Sequence, residues 1–152
     1  MARYNERNTS LDNDRYQVNE KHNDRYAQKN YEQKSMSDSI DLSEKLATFS
    51  EHWSPRTVAQ FNDCDVMVVK VQGEFVWHKH DDTDDFFLVL KGVLELQLRD
   101  RTVTLGPGQM YVVPKGVEHR PVAREEVHLL LMEPTGTPNT GDASTAAPRK
   151  TA

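Results

Sequence analysis

Four side chains on two short stretches have the types and spacing needed to hold a metal ion. Between Trp77 and Gly92 the chain reads WHKHDDTDDFFLVLKG, which supplies His78, His80 and a carboxylate from Asp84 or Asp85. Between Gly108 and Val122 it reads GQMYVVPKGVEHRPV, which brings in His119 behind a Pro-x-Gly turn. Neutral imidazole and carboxylate are the donors that divalent first-row transition metals accept. The chemistry on offer is therefore metal chemistry, and the rest of the chain has to position it.

Strand alternation decides which of these groups share a face. His78 and His80 are two residues apart, so on an extended chain both project to one side while Lys79 projects to the other. Asp85 alternates with Phe87 and Val89, whereas Asp84 alternates with Phe86 and Leu88, so only one of the two acids faces the histidine pair. The remaining acids of this stretch, Asp81 and Asp82, read as a solvated loop. His22, His52 and His128 stand apart and read as structural or exposed residues.

The elements that carry the four residues read as strands. Runs rich in Val, Leu and Phe extend over Thr57–Phe61, Asp65–Gln72, Glu74–His80, Asp84–Leu90, Val93–Arg99, Thr102–Leu105, Gln109–Val113, Glu118–Val122 and Val127–Met132. Gly73, Gly92, Asp100, Gly106-Pro107-Gly108 and Pro114-Lys115-Gly116 punctuate them. Many short strands without intervening helices imply an all-β antiparallel sandwich or barrel. Ahead of them, Asp41-Leu-Ser-Glu44 has the spacing of a capping box, and Leu42, Leu46 and Phe49 recur at helical intervals. A short amphipathic helix is expected to about Trp53, with Pro55 preventing its continuation. Phe75, Trp77, Phe86, Phe87, Met110 and Leu131 are core or pocket wall, a division that sequence does not make.

Composition bounds the function. A chain of 152 residues suits one domain with a sizeable core. The net charge of −5 argues against nucleic acid or an acidic membrane surface as partner. No apolar run approaches a membrane span, no signal-peptide stretch is present, and the single Cys64 fits a reducing cytoplasm. Residues 1–35 are rich in Asn, Asp, Arg, Lys and Gln, carry the tetrapeptide NDRY twice, and read as a disordered extension. Residues 36–135 form the folded domain. Residues 136–152, rich in Thr, Pro, Ala and Gly, read as a flexible tail.

The two histidine stretches resemble the paired motifs of the cupins. In the first, Gly73 precedes His78 and His80, Asp85 follows after four residues, and Gly92 closes after six more. In the second, Gly108, Pro114, Gly116 and His119 fall in register, with Ala123 where the family has Asn. The resemblance covers about Leu42 to Pro134 and is similar to single-domain bacterial cupins often labelled mannose-6-phosphate-isomerase-like. It implies a double-stranded β-helix, or jelly-roll, barrel and a ligand set of His78, His80, Asp85 and His119. Asp85 departs from the family's Glu and is one methylene shorter. The implied cofactor is a divalent transition metal, with Fe, Mn, Ni, Zn and Cu all open.

The resemblance also implies a small-molecule ligand, a homodimer and one of two functions. In the first, the metal acts on a small polar molecule, a sugar or an oxygenated acid, in isomerase- or dioxygenase-type chemistry. Barrel position then makes Glu95 and Tyr111 the candidates for proton transfer. In the second, the barrel is a non-catalytic binding or sensing module with a structural metal. One fold hosts many activities, so the resemblance speaks for fold more than for substrate.

Overall fold

The computed structural model describes residues 39–148, 150 and 151; the expected extension over residues 1–35, with its NDRY repeat and His22, lies outside them. The helix α1 spans Leu42–Ala47. Asp41 caps it, its carboxylate accepting the Ser43 and Glu44 amides at 2.8 and 3.1 Å. The helix stops well short of Trp53. Phe49 is drawn into an outer cluster with Leu46 and Val68, and the Lys70 ammonium donates to the Phe49 carbonyl at 2.8 Å. That contact takes the chain out of its helical path. Beyond it, His52 forms an isolated bridge with Lys70, and Trp53 sits at φ 57°.

Eight strands follow: β1 Arg56–Phe61, β2 Cys64–Glu74, β3 Asp85–Lys91, β4 Leu94–Leu98, β5 Thr102–Leu105, β6 Met110–Val113, β7 His119–Pro134 and β8 Lys150–Thr151. They join in the order β5-β4-β7-β2-β1-β8, with β3 bonded to β6 and β7. This is the expected jelly-roll barrel with a short helix before it. Among the described residues no helix is long and apolar enough to cross a membrane.

The organising element is β7. It pairs with β2 from Val122 to Pro134 on one edge, and with β4 (His119–Val122) and β3 (His128–Met132) on the other. Sequence divided this element into Glu118–Val122 and Val127–Met132. The structure joins them, because Gly73 pairs with Ala123 while Val71 pairs with Val127, so the polar residues 124–126 bulge out of an unbroken strand. A second correction concerns Glu74–His80. Only Glu74 continues β2. Residues 75–84 form a loop tied by the Phe75 amide to the Pro121 carbonyl at 2.9 Å and by a single His78–His119 bridge.

Alternation fills the interior as expected. Met67, Val69 and Val71 of β2, Leu129 and Leu131 of β7, Phe87 and Val89 of β3, and Leu94 and Leu96 of β4 make one core. Met67, Leu131 and Phe87 lie across three neighbouring strands, as do Val69, Leu129 and Val89. One step further along the same rows, apolar side chains give way to Asp65, Glu133 and Asp85, each about 4% exposed. The end of the barrel core is therefore acidic.

From Thr135 the chain crosses this end of the barrel. The Thr135 amide donates to Asp63 O at 2.8 Å, Asn139 accepts the Ala147 amide at 2.9 Å, and β8 pairs in parallel with Arg56 and Thr57. Composition reads residues 136–152 as a tail; the side chains of Asn139, Thr140 and Asp142 fold it back through local hydrogen bonds.

Two turn glycines make a controlled comparison. Gly92 (φ +85°) and Gly108 (φ +78°) both occupy left-handed backbone. A Cβ on Gly92 would fall 2.9 Å from the Glu126 carbonyl oxygen, whereas one on Gly108 meets nothing within 4 Å. Gly108→Ala is expected to cost about 1–2 kcal/mol from conformation alone, and Gly92→Ala clearly more. Chemical denaturation of both variants checks this; equal losses would show that close packing against β7 is not what Gly92 provides.

Candidate metal centre

The four residues reach the site by three routes. Asp85 opens β3 and points inward with Phe87 and Val89. His119 opens β7 after the turn at Pro114–Gly116. His78 and His80 come from the loop before β3, which is fixed by the paired backbone bonds between His78 and His119 (2.9 and 3.0 Å) and by the Gly116 amide to His80 O (2.7 Å). Alternation holds despite the loss of strand pairing, since His78 and His80 are 8% and 5% exposed while the Lys79 side chain is half exposed. One donor atom from each of the four residues lies within 4.8 Å of all the others.

The tautomers follow from the backbone. His78 Nδ1 is 3.0 Å from Val76 O, and His119 Nδ1 is 3.0 Å from Val117 O. A carbonyl only accepts, so in each ring Nδ1 carries hydrogen, and in the neutral ring Nε2 carries the lone pair. His119 Nε2 lies 3.1 Å from Asp85 Oδ2. Two lone pairs do not sit at that distance unless a cation, a proton or a metal ion, lies between them. His80 Nε2 is 3.4 Å from the same oxygen without hydrogen-bond geometry, and both it and Asp85 Oδ1 are buried with no hydrogen-bond partner. Donors about 2.1 Å from a tetrahedral ion stand about 3.4 Å apart. The donor set, its spacing and its orphaned atoms thus fit a first-row ion, and the shorter Asp85 still reaches the imidazoles.

Protonation equilibria carry the imprint of burial. Burial, reinforced by the neighbouring His119, lowers His78 from 6.5 to about 4. Burial would lower His80 too, but the Asp85 carboxylate outweighs it and holds His80 above the ordinary imidazole value. Burial likewise opposes ionisation of Asp85, and the two imidazoles beside it keep its carboxyl below the ordinary range.

A cavity of about 60 Å³ opens beside His78 and Asp85. Phe75, Phe87 and Leu131 line it, as does Glu133, which sequence reading missed. The signal was present: Glu133 continues the inward alternation of Val127, Leu129 and Leu131. Thr137, Asn139, Ala147 and Pro148 add a wall from the crossing C-terminal segment. Of the other aromatic and apolar candidates, Trp77 stacks under Arg99 at 3.8 Å, and Met110 is exposed. Glu95 and Tyr111 do not line the cavity. Glu95 alternates with the buried Leu94 and Leu96 and bonds Arg124, while the Tyr111 hydroxyl accepts from Arg101 at 2.9 Å.

Residues 65–133 match the family profile described as "Cupin domain". A cupin-2 domain containing protein from Shewanella frigidimarina NCIMB 400, known as a crystal structure, is 50% identical to this chain. The similarity covers 62% of this chain and 93% of that one, with a TM-score of 0.62. The chain belongs to the cupin family. A Neisseria meningitidis protein, also known as a crystal structure, is 30% identical over 64% of this chain and all of its own, with a TM-score of 0.59. The uncharacterized protein YdbB of Bacillus subtilis strain 168 is 35% identical over 81 residues, 53% of this cupin and 66% of that protein's length.

In the metal-free protein, His78 sets a pH dependence. Its folded value lies below its unfolded one, so between pH 6.5 and 4 the unfolded chain takes up a proton that the folded chain refuses. Stability is complete above 6.5 and falls as pH drops through that window, by about 3 kcal/mol in all. His80 is protonated in both states below 6.5, and Asp85 is ionised in both above 3.8, so neither adds slope there. Denaturation in EDTA across this range should show the loss in the parent and not in His78→Gln.

Proposed function

We propose that this cupin binds one divalent first-row transition ion through His78, His80, Asp85 and His119 and presents it to a small oxygenated organic molecule in the adjoining cavity. The observation that carries the reading is the 3.1 Å approach of His119 Nε2 to Asp85 Oδ2, with a second imidazole nitrogen that makes no hydrogen bond 3.4 Å from the same oxygen. The ion, when bound, would act as a Lewis acid or redox centre toward an oxygen of the substrate. The chain supplies the remainder. Val76 O and Val117 O aim two imidazoles, Asp85 offsets charge, and the apolar wall keeps water out so that electrostatic interactions inside are strengthened. Isomerase- or dioxygenase-type chemistry is the activity this arrangement suits.

Protein purified without added metal is expected to carry about one equivalent of a divalent transition ion per chain. His119→Ala should lower metal affinity at least tenfold, and Asp85→Asn should leave a weaker three-imidazole site. Elemental analysis decides it: metal far below one equivalent in the parent, or undiminished in His119→Ala, sinks the site. Dioxygen-uptake and isomerisation assays on the metal-replete protein then separate an enzyme from a binding module.

Cytoplasmic residence and a homodimer belong to the same reading. Among the described residues strand β6 bonds only β3, and it exposes Met110 and Val112, which gives a second copy an edge to cover. Light scattering behind size exclusion should give twice the chain mass; a monomer throughout would remove that part.

A further inference from the structure

His78 and His80 ride on residues 75–84, which run between β2 and β3 rather than within a strand. Backbone bonds tie this loop to the start of β7: two between His78 and His119, and one from the Phe75 amide to the Pro121 carbonyl. The His78–His119 pair is an isolated bridge, without the neighbouring pairs that reinforce register in a ladder. Side chains on the other face of the loop brace the same junction.

Alternation turns Trp77 away from His78 and His80. The guanidinium carbon of Arg99 lies 3.8 Å from the centre of the Trp77 ring, and that of Arg120 lies 5.3 Å from it. Both are within the range of cation–π attraction. Each arginine is aimed by a second group. Arg99 Nε donates to Glu118 Oε2 at 2.9 Å. Arg120 Nη1 donates to Glu74 Oε2 at 2.7 Å, and its Nε and Nη2 donate to Gln97 Oε1 at 3.1 and 2.7 Å. Trp77 immediately precedes His78, while Glu118 and Arg120 flank His119. Glu74 ends the strand from which the loop departs. The residues adjoining both histidines therefore belong to one network, on the face opposite the donor atoms.

Such contacts add little to folding as a whole. The Arg99 and Glu118 side chains are 58% and 48% exposed, and water screens an exposed pair. A metal centre is more demanding than a fold, because a donor displaced by a few tenths of an ångström is a poorer ligand. The network acts where that tolerance matters.

We propose that Trp77 is a positioning residue, held by Arg99 and Arg120 so that His78 stays in register with His119. That the two imidazoles thereby hold an ion rests on the metal reading; the bracing of the loop does not.

The test compares Trp77→Ala, Trp77→Phe and Arg99→Ala with Gly108→Ala, which loses stability at a turn elsewhere. Each full chain is loaded with Co(II), whose visible absorption reports ligand geometry, and then transferred to EDTA. Trp77→Ala should release cobalt about three- to tenfold faster than the parent, with an altered spectrum. Arg99→Ala, at an exposed position, should release it about two- to fivefold faster, the worth of one exposed cation–π contact. Trp77→Phe keeps an aromatic face and should return the rate to within about twofold of the parent. Gly108→Ala should release cobalt at the parent rate despite its lower stability. In EDTA-treated protein, hydrogen exchange of the His78 and His119 amides should quicken in Trp77→Ala relative to the core amides of Val69 and Leu129. Unchanged release and exchange in both Trp77→Ala and Arg99→Ala would overturn the inference, as would release that follows stability alone across the variants. A parent chain that takes up no cobalt while Trp77→Ala shows the faster exchange would sink the metal reading and leave the bracing. Cobalt held by the parent, with release and exchange unchanged in Trp77→Ala, would do the reverse.

Discussion

A carboxylate buried at the end of an apolar core has to be neutralised, and around Asp85 this need organises the fold. Solvent reaches only about 4% of the residue, so water cannot stabilise its charge. Three imidazoles from two stretches converge on it instead, two of them oriented by carbonyls two residues back along their own chain. The loop before β3 forgoes strand pairing to deliver His78 and His80, and β7 begins at His119. The interior alternation of β3 makes Asp85 the inward acid rather than Asp84, whose carboxylate instead receives the Lys115 amide at 2.9 Å.

The dependence runs in the other direction too. Strand β7 binds β2, β3 and β4, so the row that ends in Asp85 and Glu133 is the same row that packs Phe87 against Leu131. The strands whose apolar packing makes burial of the acid costly also carry Asp85 and His119, and metal ligation would demand that donors be placed to within a few tenths of an ångström. In this barrel the hydrophobic core and the polar site are two ends of one set of strands.

Much of this was legible beforehand because it follows from local rules. Period-two alternation placed His78 with His80 and separated Asp85 from Asp84, and the Pro114–Gly116 turn brought His119 in from another strand. What stayed hidden depends on partners distant in sequence. The helix ends early because Lys70, more than twenty residues on, holds the Phe49 carbonyl. Strand β7 reads as two pieces because its bulge at residues 124–126 is polar, and only pairing with β2 and β3 shows that it is continuous. Glu133 looks like a strand-end acid until its neighbours Asp65 and Asp85 are seen across the sheet. Residues 136–151 carry no apolar pattern, so only side-chain hydrogen bonds and a two-residue pairing with β1 reveal their course.

That last segment separates the four donors from part of their enclosure. Residues 137–148 are made after every strand from β1 to β7, yet they supply one wall of the cavity. A chain ending at Pro134 would keep the three imidazoles and Asp85 and lose one wall of the cavity beside them. That wall passes close to the loop that carries the histidines, since the backbone of Gly141 has no room for a side chain beside Lys79.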